Sequence, residues 1–386
     1  PENVAWLLNI RGYDSPTSPI PNSNLLLTKE KQVFLIVEKN KTTKLLSEKK
    51  LKQNQIIDPK YILDFFDKLK KGTILIDEKT CSLYFEKVIE KKLKIKKKED
   101  PIYILKSIKN KIEIKNMINA HVIDGVALTK FIYWIKNLKK MNITEVDAQN
   151  KLEQIRRMNS KYLFPSFNTI AGSGKNGAIV HYRATKNNTK LIKKNEIFLC
   201  DSGGQYKYGT TDVTRTICFE NQNKNIKNIF TNVLKGHIAV AQTDLNKKKT
   251  GKLIDKDARK FLKKDRLDYS HGTGHGVGFF LNVHEGPQSI SKINKVKIKE
   301  GMIISNEPGY YKKNKFGIRI ENLIFVKKNN KKMSFENLTM APIEKDLINF
   351  NLLTSNEKNY LFKYHLDVYS KISEYLNSKE KKWLAS

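Results

Sequence analysis

Four carboxylates and one imidazole, each set in or beside apolar, strand-like sequence, constrain this chain more than any other feature. They lie in five short motifs: Asp201 in Asp-Ser-Gly-Gly-Gln-Tyr, Asp212 in Thr-Thr-Asp-Val-Thr-Arg, His275 in His-Gly-Thr-Gly-His-Gly-Val-Gly, Glu307 in Asn-Glu-Pro-Gly-Tyr-Tyr and Glu321 in Arg-Ile-Glu-Asn. A carboxylate in apolar surroundings is costly unless it is paired or meets a cation. A fold that accommodates all five must bring them to positive charge. An oxygen-rich set with one imidazole suits two divalent ions side by side, with carboxylates shared between them.

The local pattern says how they converge. Glu196–Cys200 reads as a strand that ends at Asp201, and Thr211–Phe219 reads as the next strand. Three glycines in residues 202–210 let this β-loop-β unit fold Asp212 back beside Asp201. Asp212, Thr214 and Thr216 then share one face. Met302–Ser305 is a strand leading to Glu307. Ile318–Val326 reads as one strand with Arg319 and Glu321 on the same face; a purely structural Arg319–Glu321 pair is the competing reading. The block 270–287 has no helical period and four glycines between 272 and 278, so His271 and His275 sit on extended or turn backbone. Residues 172–177 spell Gly-x-Gly-x-x-Gly, but Ala178–Tyr182 after it reads as a strand and not a helix, which removes the nucleotide-binding reading. The loop is expected to deliver His181 to the cleft.

The length of 386 residues suggests two domains. Residues 1–107 read as a small α/β domain. Its apolar runs are Trp6–Ile10, Asn24–Leu27 and Val33–Val37, with a Pro-rich loop over 15–21. A helix begins at Asp58 with Ile62, Phe65, Phe66 and Leu69 on its apolar face, and Gly72 ends it. A strand at Thr73–Ile76, a helix over 82–91 and a last strand or linker over 101–107 complete the domain. From residue 108 the period becomes helical through Leu138. Thr144 with Asp147 opens a helix that runs to Met158. Further helices fall near 226–237, where His237 reads as a core or surface histidine, and near 253–262. Thr354 with Glu357 opens a C-terminal helix with the stripe Leu361, Tyr364, Val368, Ile372, Tyr375 and Leu376.

The formal charge of +34 invites a nucleic-acid reading. The lysines are spread over turns and helix faces with few interleaved aromatics, which favours a compositional origin. No apolar run is long enough to span a membrane. Three cysteines, Cys81, Cys200 and Cys218, form no Cys-x-x-Cys pair and point to free thiols in a reducing compartment.

The ordered set resembles the metal site of the pita-bread metallopeptidases. Further resemblance lies in Asn-Gly-Ala-Ile-Val-His-Tyr at 176–182, Lys-Gly-His-Ile-Ala-Val at 235–240, Leu-Asn-Val-His-Glu-Gly-Pro at 281–287 and Phe-Gly-Ile-Arg-Ile-Glu-Asn at 316–322. Among these enzymes the wording is most similar to the aminopeptidase P (Xaa-Pro aminopeptidase) family of eukaryotic cytosolic type. The resemblance implies an α/β (α+β) fold: a small creatinase-like non-catalytic domain over 1–107, then a pita-bread catalytic domain over 108–386. It implies that Asp201 and Asp212 chelate one metal, that His275 and Glu307 bind a second, and that Asp212 and Glu321 bridge the two. Glu307 would shuttle the proton of a hydroxide bridging the metals. His284 would donate to the scissile carbonyl, and His271 and His181 would line a pocket for proline.

Two divalent ions are implied, manganese by preference, with cobalt or zinc able to substitute in vitro. The implied substrates are peptides with proline at the second position, with no specific nucleic acid and no membrane as partner. A homodimer in the cytoplasm is expected, and a digestive vacuole or lysosome-like compartment is the second choice. Eukaryotic relatives carry a further N-terminal domain; nothing in this sequence matches it, so the N-terminal domain is expected to be absent.

Overall fold

The computed structural model describes residues 1–386. The chain divides into two compact units: Pro1–Ser15 with Pro19–Lys106, and Pro16–Ser18 with Ser107–Ser386.

The first unit contains α1 (Glu2–Leu7), β1 (Asn24–Leu27), β2 (Val33–Ile36), α2 (Thr43–Ser47), β3 (Ile56–Ile57), α3 (Ile62–Lys68), β4 (Thr73–Ile76), α4 (Leu83–Glu90) and β5 (Lys94–Lys97), and ends in α5 (Ile102–Ser107). β1 pairs antiparallel with β2, and β3 joins β2 in parallel; β4 and β5 form a separate parallel pair. One core gathers Val4, Ile10, Leu35, Val37, Leu51 and Ile56, and another gathers Ile36, Ile62, Phe66, Ile76, Val88 and Ile89. Ser82 caps α4 by accepting from the Phe85 N–H at 3.3 Å, as a serine before an apolar helix should. The Trp6–Ile10 apolar run lies partly in helix α1. One expectation fails. Residues 101–107 are helical rather than a strand or linker, because Asp100 accepts from the Ile102 N–H at 2.9 Å and Pro101 suits a first helical turn.

The second unit opens with α6 (Lys111–Lys136) and α7 (Glu145–Arg157), both started by capping boxes, Asn110 with Glu113 and Thr144 with Asp147. Then follow β6 (Tyr162–Pro165), β7 (Ile170–Ser173), β8 (Phe198–Ser202), β9 (Gly204–Tyr206), β10 (Gly209–Thr210), β11 (Val213–Ile217), α8 (Lys224–Ala241) and α9 (Gly251–Lys264). The rest is β12 (Gly274–His275), β13 (Ser289–Ile290), β14 (Ile303–Asn306), β15 (Gly309–Lys312), β16 (Phe316–Arg319), β17 (Asn322–Asn329), β18 (Lys332–Asn337), α10 (Ser355–Ile372) and α11 (Ser378–Ala385). The strands form small antiparallel sheets, β7–β8–β11 and β14–β17–β18 being central to the site. Every residue of β8, β11 and β14 is buried. Phe230, Val233 and Leu234 of α8 pack with Ile318, Ile320, Leu361, Tyr364 and Val368; Leu128 and Phe131 of α6 pack with Phe198, Val213 and Ile217.

Three local expectations are corrected here. Ala178–Tyr182 is not a strand: Gly174–Ala178 is a 3-10 turn, followed by a turn in which the Tyr182 N–H donates to Ile179 O at 3.0 Å. Side-chain bonds hold that shape, because the Tyr182 hydroxyl donates to the buried Glu145 at 2.8 Å and Asn176 donates to the same carboxylate. Ile318–Val326 is two strands, β16 and β17. They break at 320–321, where the Ile320 N–H bonds Pro308 O and the Glu321 N–H bonds Thr214 O. α10 ends at Ile372, which leaves Tyr375 of the expected stripe 54% exposed. No helix is long and apolar enough to cross a membrane. Cys200 and Cys218 are buried free thiols and Cys81 is half-buried.

Candidate metal centre

The site is assembled from strand ends. Antiparallel β8 and β11 pair Asp201 with Thr214 and Ser202 with Val213, which brings Asp212, just before β11, alongside β8. β14 and β17 pair Asn306 with Asn322, so Glu307 and Glu321, one just after β14 and the other just before β17, leave the sheet at the same end. His275 sits in the short β12. Gly274 beside it is required by close approach: a Cβ there would lie 1.8 Å from Ser305 O.

The five residues converge. Ligand-type atoms of Asp212, His275 and Glu321 all lie within 4.8 Å of one another. His275 Nε2 is 3.4 Å from Asp212 Oδ2 and 3.5 Å from Glu307 Oε1. The Nδ1 of His275 bonds Gly276 O at 2.9 Å, which fixes the tautomer and leaves the Nε2 lone pair facing the carboxylates. Ser305 joins two members, accepting from the His275 N–H and donating to Glu307 Oε1, both at 2.9 Å. Asp201 reaches the group through Arg319, whose Nη2 donates to Asp201 Oδ2 at 2.5 Å.

Electrostatics mark the cluster as short of positive charge. Burial, then the neighbouring acids, push Asp212 and Glu321 well above the usual carboxylate range; burial also raises Asp201 against the pull of Arg319. Burial pushes Glu307 up as well, yet His275, His271 and Arg319 outweigh it and hold Glu307 below its ordinary value. Asp201 Oδ1 is buried with no hydrogen-bond partner. Buried, mutually repelling carboxylates, an orphaned carboxylate oxygen and an imidazole lone pair facing them fit divalent cations.

The outer histidines differ from one another. His284 is exposed, and its ring meets that of His275 edge-on at 4.2 Å. Although part of the residue meets solvent, the protein packed around the ring, reinforced by His275, lowers the His284 pKa to about 4, so the ring is neutral at pH 7. His271 is half-buried, with Nδ1 on Gly272 O at 2.7 Å and Nε2 on the Tyr311 hydroxyl at 2.9 Å. His181 is exposed on the turn anchored by Tyr182.

Sequence reasoning missed Arg319 as an organiser of the site. It does not pair with Glu321 as the competing reading had it. Its Nη1 donates to the Tyr311 hydroxyl at 2.5 Å and its Nε to Thr214 Oγ1 at 3.0 Å, and Thr214 in turn donates to Glu321 Oε2 at 2.8 Å. The single-strand reading put Arg319 and Glu321 on one face; the break at 320–321 separates them. In a second metal-type grouping, Cys218 with Glu344 and Asp346, both carboxylates are already engaged by Lys136, which donates to Glu344 at 2.7 Å and Asp346 at 2.9 Å.

Comparison with known proteins agrees with this chemistry. The chain belongs to metallopeptidase family M24, whose model matches residues 115–328. The C-terminal region of that peptidase family matches 331–386, and the creatinase/prolidase N-terminal domain matches 1–113. The fold is thus a creatinase-like domain followed by a pita-bread domain. The match over 1–113 overturns the expectation of an absent N-terminal domain. Ile10, at the end of the Trp6–Ile10 run, joins the core of that first unit.

A probable Xaa-Pro aminopeptidase P of Laccaria bicolor is 44% identical over 282 residues, which is 69% of this chain and 44% of that protein. An uncharacterized peptidase of Schizosaccharomyces pombe is 38% identical across 100% of this chain and 66% of its own length. The chain therefore spans less than half of the first relative and about two thirds of the second. Among solved structures, X-prolyl aminopeptidase from Caenorhabditis elegans, described as a cytosolic enzyme with a di-nuclear active site, superposes with a TM-score of 0.89 at 31% identity. It covers 100% of this chain and 66% of that one. Prolidase from Pyrococcus furiosus gives a TM-score of 0.70 at 28% identity, covering 86% of this chain and 94% of that one.

Proposed function

We propose that this chain is a metal-dependent aminopeptidase that releases the N-terminal residue from peptides with proline at the second position. The observation that carries the reading is the convergence of Asp212, His275 and Glu321 within 4.8 Å, beside Asp201 and Glu307, among carboxylates that burial and mutual repulsion keep from ionising alone. Residues 108–386 hold the catalytic machinery, and residues 1–107 are non-catalytic.

Asp201 and Asp212 would hold one divalent ion, His275 and Glu307 a second, with Asp212 and Glu321 shared between them. Manganese suits four carboxylates and one imidazole, with cobalt or zinc as substitutes in vitro. When bound, such a pair acidifies water toward neutral pH and polarises a carbonyl. The side chains supply the rest. Glu307, ionised beside His275 and steadied by Ser305, is the group that accepts a proton and passes it to the leaving nitrogen. Neutral His284 donates an N–H to the oxygen of the scissile carbonyl as charge builds on it. His181 and His271 line the pocket for proline. Proline fits such a dedicated cleft because its tertiary amide offers no N–H to enzymes that grip substrate as a strand. A homodimer in the cytoplasm completes the proposal.

The test is manganese-dependent hydrolysis of X-Pro-Y against X-Ala-Y and against the dipeptide X-Pro. Release of X from X-Pro-Y alone, abolished by chelator and by Glu307→Ala, is the expected result. Cleavage confined to the dipeptide would replace the aminopeptidase with a dipeptidase. Absence of both cleavage and metal binding would overturn the reading.

A further inference from the structure

Lys109 and Glu285 form an ion pair in which each side chain is 1% exposed. Neither belongs to the five converging residues. Lys109 is fixed at its own end. It lies just ahead of the α6 cap, its N–H donates to Gly301 O at 2.9 Å, and Gly301 has φ +82°. A Cβ on Gly301 would lie 2.5 Å from Lys109 O, so the main chains meet too closely for any other residue. Glu285 is fixed to the site. Its N–H donates at 2.8 Å to the carbonyl of Gly276, the residue after His275. Immediately before Glu285 is His284, an exposed ring on the irregular segment between β12 and β13, standing edge-on to His275 at 4.2 Å and 87°. An exposed side chain on such a segment takes its position from the residues to which its neighbours are tied.

We propose that Lys109 and Glu285 are a positioning pair that fixes the 281–287 segment and so holds the His284 ring against His275 at the metal centre. Desolvating two charges consumes much of what their attraction returns, so apolar side chains of similar volume would hold the segment about as strongly. What the ion pair adds is direction. A carboxylate and an ammonium satisfy each other in few arrangements, and every other register of the segment leaves a charge buried alone. The structural part of this inference stands on geometry; its effect on rate rests on the hydrolytic reading above.

The test uses Lys109→Met and Glu285→Gln in the full chain, with two readouts. In metal-free protein labelled with 15N-histidine, the His284 ring signals are expected to move while those of buried His121 and His237 stay in place. In manganese-loaded protein, kcat on X-Pro-Y is expected to fall about ten-fold with KM within about two-fold, because a displaced donor is missed in the transition state more than in substrate binding. A general loss of stability would not produce that split. Folded variants with wild-type His284 signals and wild-type kcat would overturn the proposal. If the single variants do not fold, the double variant Lys109→Met/Glu285→Met removes both charges together. It is expected to fold and to show the same displaced signals and the same ten-fold loss; wild-type signals and rate in it overturn the proposal equally. A wild-type chain inactive on every peptide removes the hydrolytic reading, and the ring spectra alone then decide the positioning.

Discussion

In the first unit, Lys97 meets Glu78 at 3.2 Å and Glu86 at 3.4 Å with 54% of its side chain in water. In the second, Arg319 meets Asp201 at 2.5 Å with 2% of its side chain exposed. Both are cation–carboxylate contacts, one of lysine with glutamates and one of arginine with an aspartate, and the solvent around them differs. Water around Lys97 screens its partners and makes them interchangeable. Around Arg319 nothing screens, so each charge must be matched by a particular neighbour, and a mismatch is felt across the site. Arg156 with Asp124 and Arg259 with Asp255 follow the same rule in the second unit. Exposed charge keeps a domain soluble, whereas buried charge fixes geometry. The first unit buries one such pair, Lys106 with Glu2, whereas the second buries several, and it is the second that carries the proposed metal centre.

The largest effect expected from this contrast is at Glu307. Glu307→Ala should lower kcat on X-Pro-Y by about a thousandfold, in the middle of the range for loss of an acid–base group, with circular dichroism unchanged. Retained turnover would separate the buried charges from the chemistry. Next comes Arg319→Met, which strands Asp201. Urea unfolding should show a loss of about 3–5 kcal/mol, as for one partner removed from a buried pair. A loss under about 1 kcal/mol would place Arg319 with the exposed pairs.

A smaller effect involves pH. All seven histidines lie in the second unit. Burial lowers His121 and His365 to about 4 and His237 to about 3. Above pH 6.5 these rings are neutral whether the chain is folded or not, and they cost nothing. As pH falls below 6.5 the unfolded chain takes up protons that the folded chain refuses, so stability declines until the folded pKa is reached near 4 or 3. Between pH 7 and 5 each ring should cost at most about 2 kcal/mol, and His121→Gln should shallow the slope in urea titrations at each pH. The smallest effect is at Lys97→Ala, where melting temperature and kcat should both match the wild type. A measurable shift there would mean that the first unit uses its charges as the second does.

Much of the site was legible because its residues are chemically out of place. A strand that carries Asp201 or leads into Glu307 announces a partner, and five such places in order pointed to the candidate centre. Capping boxes at Thr144 and Thr354 were legible because a helix start is written in adjacent residues. What escaped depends on contacts distant in sequence. The turn at 178–182 takes its shape from Glu145, and the break at 320–321 from Thr214 and Pro308. Arg319 looked paired to Glu321 because strand periodicity knows only neighbours. Its true partner, Asp201, is 118 residues away.

That separation has a consequence for synthesis. The Arg319–Asp201 bond spans 118 residues of chain and the Thr214–Glu321 bond spans 107. A growing chain that has released Asp201 and Asp212 from the ribosome still lacks the guanidinium and the carboxylate that complete the cluster. More than half of the chain can therefore emerge before the five residues can converge, and on the proposed hydrolytic reading activity would have to wait until Glu321 has been made.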